Sequence, residues 1–227
     1  MRCKIVSAIC QWRSLTLLAA ATFAVFLLLP GGIVTGATAT DSGPAIVRVE
    51  EDWKLVLNEP EAEINAPQFH TAMSPYANAD REYAQVLWNY RELPEFESGG
   101  LQLELWRGGD DLVRRGAGDQ SLSRDAETIT WTQRLDASDG ALRFQVLNGR
   151  SLSWGSFGGD GMAVAVSAGV PNLNAYSPSV SKGNSAITFG ANRVNMLVIT
   201  EVRRYSAAGL VSADRAQLVV YQAPAAE

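Results

Sequence analysis

Beyond residue 44, apolar and polar residues alternate with a period of two, the pattern of strands with one buried and one wet face. Leu101-Gln102-Leu103-Glu104-Leu105 is the cleanest case, and Thr128-Ile129-Thr130-Trp131-Thr132 repeats it with three threonines outward. Leu142, Phe144 and Val146 alternate with Ala141, Arg143 and Gln145; Met162, Val164 and Val166 follow, then Val194, Met196, Val198 and Val202. Further strands are expected at Ala45–Glu50, Trp53–Leu57, Phe69–Met73, Tyr83–Arg91 and Gln217–Tyr221, about twelve in all. Turn formers separate the runs. Gly108-Gly109-Asp110, Asp139-Gly140 and Asn148-Gly149 each predict a hairpin, because such residues tolerate positive φ. Looser connections are expected at 58–67 and at 168–186, the second rich in Gly, Pro, Ser and Asn and long enough to be functional or partly ordered. With helical periodicity nearly absent and no fixed repeat, the pattern predicts an all-β antiparallel fold, a sandwich or a barrel, as one domain over 44–222 with a frayed tail at 223–227.

The N-terminus follows a different rule. Arg2, Lys4 and Arg13 precede an uncharged apolar run from Leu15 to Leu29, then Pro30-Gly31-Gly32 and Ala37-Thr38-Ala39. This predicts an apolar helix that serves as an export signal over residues 1–39, with cleavage before Thr40. The alternative is an uncleaved anchor over 15–34 with its N-terminus in the cytoplasm, which would be the chain's one membrane contact. Either reading sends the remainder to the periplasm, the cell surface or the medium. Both cysteines, Cys3 and Cys10, lie ahead of the apolar run, so the exported part has no disulfide and must be stabilised by burial. Without residues 1–39, which hold three basic and no acidic residues, 16 basic and 24 acidic groups remain. That balance argues against nucleic acid as a partner and favours solubility.

The succession Thr128–Leu135, Asp139-Gly140, Leu142–Leu147, Asn148-Gly149, Ser151–Phe157 resembles the middle of concanavalin A-like sandwiches of the laminin-G and lectin type. Arg193-Val194-Asn195-Met196-Leu197-Val198-Ile199-Thr200-Glu201-Val202-Arg203-Arg204-Tyr205 is similar to their late back-sheet strand. The resemblance implies a two-sheet jelly roll. Trp154-Gly155-Ser156-Phe157-Gly158-Gly159 with Tyr176-Ser177-Pro178 also resembles a family of exported bacterial proteins of unknown function, which implies no activity.

Familiar catalytic machinery is scarce. The single histidine, His70, removes Ser-His-Asp, Cys-His and multi-histidine metal sites, and reads as a structural or surface strand residue. Lys54 and Lys182, the only lysines past residue 39, lack Ser-x-x-Lys spacing. The resemblance would place two carboxylates alternating on one strand in a glycosidase. Glu50-Glu51-Asp52 is contiguous and points to both faces, while Gln102 and Glu104 offer one carboxylate. No cofactor is expected beyond calcium, whose oxygen ligands could come from Asp110, Asp111 and Asp160, with Asp136 and Asp139 behind them; acidic turn residues otherwise serve the turns. Among the five tryptophans past residue 39, Trp131 and Trp154 fall on apolar faces, whereas Trp106 falls on the polar side of its strand before a Gly-Gly turn. Trp106 is therefore the leading candidate for stacking on a ligand, followed by Tyr176 in the long connection and by Trp88 and Tyr90. The function expected from the resemblance is a non-catalytic binding or cell-envelope module, with a glycan or envelope component as its partner. A structural or adhesion protein is the alternative, and a glycoside hydrolase of the same fold the third reading.

Overall fold

A computed structural model describes residues 43–59, 67–90, 100–117 and 126–225, and the statements below concern these. The expected export segment with its cysteines, residues 60–66 and 226–227, and the side chains of Tyr90 and Ala117 lie outside the described residues.

Two antiparallel sheets form a sandwich. The larger contains β1 (Arg48–Leu57), β6 (Thr128–Ser138), β7 (Ala141–Ser151), β8 (Gly155–Phe157), β9 (Ala163–Ser167), β11 (Val194–Ser206), β12 (Gly209–Asp214) and β13 (Leu218–Gln222). Its order is β12-β11-β1-β6-β7-β8, with β13 also on β11 and β9 also on β7. The smaller contains β2 (Gln68–Met73), β3 (Glu82–Tyr90), β4 (Gly100–Arg107), β5 (Asp110–Ala117) and β10 (Ala186–Phe189), in the order β10-β2-β3-β4-β5.

Alternation becomes layering directly. On β1, Val49, Glu51, Trp53, Leu55 and Leu57 are buried while their neighbours are half-exposed. On β4, Leu101, Leu103 and Leu105 turn inward. Between the sheets, Trp131 packs parallel to Trp53 with centroids 5.9 Å apart, and meets Trp88 of the opposite sheet at 4.5 Å. Phe69 lies parallel to Trp88 at 5.5 Å. This aromatic seam removes the largest side chains from water at once, the main driving term for a domain of this kind.

Three expectations are corrected. Ala45–Glu50 and Trp53–Leu57 fall in one strand, β1, which runs on through a register shift against β11 at Asp52/Trp53. Asn148-Gly149 does not close a hairpin. β7 runs through it to Ser151, the chain turns at residues 152–154, and Gly149 pairs with Phe157. Asn148 does take the left-handed conformation, φ 53°. It uses that freedom for a bulge, since from Thr130↔Arg150 to Thr132↔Leu147 β7 spends one residue more than β6. Asp139-Gly140 and Gly108-Gly109, in contrast, do join β6 to β7 and β4 to β5. Finally, the connection 168–186 is packed, not loose: Ala168, Val170, Leu173 and Tyr176 are buried, and a short helix α1 (Pro178–Gly183) follows.

Candidate functional site

Inward leucines on β4 force Gln102, Glu104 and Trp106 onto the outer face of the smaller sheet. The register then builds two rows across that face. One runs Ala72, Gln85, Glu104, Arg114; the other runs Tyr83, Trp106, Asp111. Tyr83 and Trp106 are half-buried, their ring planes 3° apart and their centroids 6.2 Å apart.

Glu104 holds the arrangement together. Although its strand position faces outward, it is 2 % exposed, because its own partners lie over it. The Trp106 indole N–H donates to its Oε2 at 2.7 Å and the Gln85 amide donates to the same oxygen at 2.6 Å. Oε1 accepts from the Gln102 amide and from Arg114 Nε at 3.0 Å. Arg114 lies on β5, so its bond to Glu104 ties the third strand in, and it also reaches Asp111 of its own strand at 3.1 Å. A buried carboxylate without such donors would be costly; with them it becomes a clamp that fixes the tilt of the Trp106 ring.

Beside the aromatic pair lies an open groove of about 500 Å³. Ala72 forms its floor because it is the smallest residue of its row; His70, Tyr83 and Gln85 stand around it, with Asp80 and Asn184 at the mouth. Burial pushes the His70 imidazole below its ordinary pKa, against a hydrogen bond with the Asn184 backbone that works the other way. The loop carrying Asp80 is fastened by Gly108 N–H to the Arg81 carbonyl at 3.0 Å, by Arg107 on Glu82 at 2.8 Å, and by the Arg81 guanidinium over the Tyr76 ring at 4.2 Å.

Of the residues singled out from the sequence whose side chains are described, Trp106 alone presents a ring at this face. Trp88 is 0 % exposed and its indole N–H donates to Thr71 Oγ1 at 3.0 Å, so it belongs to the core seam. Tyr176 is 5 % exposed and its hydroxyl donates to Glu51, so it anchors its connection inward and offers no ring to a ligand. The Tyr90 side chain lies outside the described residues.

The calcium candidates do not converge. Asp111 pairs with Arg114, Asp160 pairs with Arg143 at 2.9 Å, and Asp110 is exposed at the start of β5. Behind them, Asp136 is held between Arg48 and Arg134 at 2.7 and 2.6 Å, and Asp139 sits at φ 53° in its turn. Among the described residues no three acidic, histidine or cysteine groups are grouped to hold a metal. Sequence reading missed Tyr83, Gln85 and Arg114. Each lies on a different strand from Trp106 or Glu104 and becomes a neighbour only through the register.

No model of a known protein family matches the chain, and no curated protein matches it in sequence. Among solved structures, scytalido-glutamic peptidase with a peptide based transition state analog is similar at a TM-score of 0.36 and 10 % identity, over 78 % of this chain and 83 % of that one. The same peptidase with a transition state analog inhibitor gives a TM-score of 0.34 and 12 % identity, over 76 % and 82 %.

Proposed function

We propose that this is an exported, non-catalytic module that binds carbohydrate on the outer face of its smaller sheet. The observation that carries the reading is the parallel Tyr83–Trp106 pair beside a polar groove, its Trp106 indole held by Glu104. The C–H face of a pyranose ring is apolar and slightly positive, and it packs on the negative face of an aromatic ring. Its hydroxyls then need donors and acceptors at the rim, which Gln85, Asp80 and Asn184 supply. The two oxygens of Glu104 are occupied by four donors, which supports a role in holding the site and not in moving protons. The reading of residues 1–39 as an export segment places this face where envelope or environmental glycans are met.

A glycan array followed by calorimetry tests the proposal. Wild type is expected to retain a class of glycans, with Trp106→Ala and Tyr83→Ala each weakening it at least tenfold. Failure of the folded wild type to retain any glycan sinks the reading.

A further inference from the structure

The opposite outer face, that of the larger sheet, carries a depression of about 420 Å³. Its origin is geometric. Against β1, β11 spends an extra residue, Thr200, between Ile199 and Glu201; against β6, β7 spends an extra residue at Asn148. The two bulges flank β1 and β6 at the same level, and both extra residues line the same hollow. Bulges re-aim side chains and break the regular surface of a sheet. Trp53 and Trp131 turn their rings into the core here, so the floor is backbone and offers no ring to stack on.

One wall is already satisfied. Arg203 grips Asp52 with two nitrogens at 2.6 and 2.8 Å and also reaches Glu50 at 3.2 Å and Glu201 at 3.0 Å. Thr132 donates to Asp52 at 2.7 Å, and Thr200 donates to the Asp52 carbonyl at 3.1 Å. The other wall is not. Lys54 is half-buried with no ion-pair partner among the described residues, and beside it the Thr130 hydroxyl and the Asn148 amide have no protein partner there either. One ammonium and two neutral polar groups converge on an open hollow.

We infer that this depression is a second ligand site, for a small hydroxylated carboxylate of the sugar-acid kind: its carboxylate on Lys54, its hydroxyls on Thr130 and Asn148. A single ammonium matches one negative charge, whereas a dianion such as phosphate would bring a second charge toward Asp52 with no further unpaired cation in the lining to meet it. A neutral sugar would leave the ammonium unused. The ligand is a free sugar acid or a uronate unit of a polysaccharide, which share this chemistry.

Titration of the ¹⁵N-labelled full chain with glucuronate, a polyuronate and glucose tests the inference. Saturable shifts are expected at the amides of Thr130, Thr132, Asn148 and Thr200 with both uronates, with glucose at least tenfold weaker. Tighter binding of the polymer per unit identifies a polysaccharide, and equal binding a free acid. Lys54→Met is expected to weaken glucuronate at least fivefold; Asn148→Gly, which keeps the left-handed backbone, is expected to weaken it too, and carries the test if Lys54→Met does not fold. Shifts at Tyr83 and Trp106 instead, equal binding of glucose, unchanged binding by the folded variants, or no saturable binding overturns the inference.

Discussion

Glu51 sits in β1 between Val49 and Trp53 and is fully buried between the sheets. Trp53 Nε1 donates to it at 3.0 Å and the Tyr176 hydroxyl donates to its other oxygen. Burial pushes its carboxyl up to about 7, with Arg204 the charge that pulls the other way. The folded state therefore holds this proton more tightly than the unfolded chain does. The contribution is full at pH values below the unfolded pKa and is lost as pH rises through about 7. From 4.5 to about 7 the loss is on the order of 3 kcal/mol. His70 contributes with the opposite sign, because burial depresses its folded value and makes stability rise with pH. Thermal melts of wild type and Glu51→Gln between about pH 4 and pH 8 separate the two, since His70 is common to both. The variant is expected to gain on wild type steadily as pH rises, and parallel curves would remove Glu51 from the account. At this scale the sequence is half legible: alternation puts Glu50 and Asp52 outward and Glu51 inward. The hydroxyl that covers Glu51 comes from residue 176, and no local pattern announces it.

The β7–β8 hairpin shows how an element uses residues that look like a turn. A Cβ on Gly149 would lie 2.2 Å from the Phe157 ring, so glycine is required for the ring to lie across the strand. Gly158, at φ +108°, then lets the chain pass within contact of the Leu147 backbone. Glu127 closes the turn by accepting from Leu152 N at 2.5 Å and from the Ser151 hydroxyl at 2.7 Å. Gly149→Ala is expected to displace Phe157 from its contacts with Trp154 at 4.9 Å and Trp88 at 5.8 Å. The cost should be about 2 kcal/mol, read as a lower urea midpoint with unchanged slope; an unchanged midpoint would show that the ring is free to move. Asn148-Gly149 was legible as a place of positive φ. Whether that freedom makes a reversal or a bulge depends on the partner strands, which local sequence does not name.

Across the whole molecule, the aromatic seam makes the sheets one cooperative unit. Trp131 touches Trp53 in its own sheet and Trp88 and Phe69 in the other. Trp131→Ala is expected to cost roughly 3–5 kcal/mol, and circular dichroism and fluorescence should still report one coincident transition; separate transitions would mean that the sheets fold apart. The two-layer architecture was legible because strands with one apolar face must bury it against another sheet. The pairing of Tyr83 with Trp106 was not, since register emerges only when the strands meet. One further property follows from the long strand β11, which carries β13 on its first half and β12 on its second, end to end. Every residue of β12 is exposed, including Leu210 and Val211, so this edge could template growth of a sheet by a second chain. Residues 215–217 interrupt it, and Arg215 is drawn aside to Glu201 at 3.1 Å. The break limits any intruding strand to the six residues of β12 or the five of β13. An interrupted border thus shortens the stretch of open flank against which a second chain could pair.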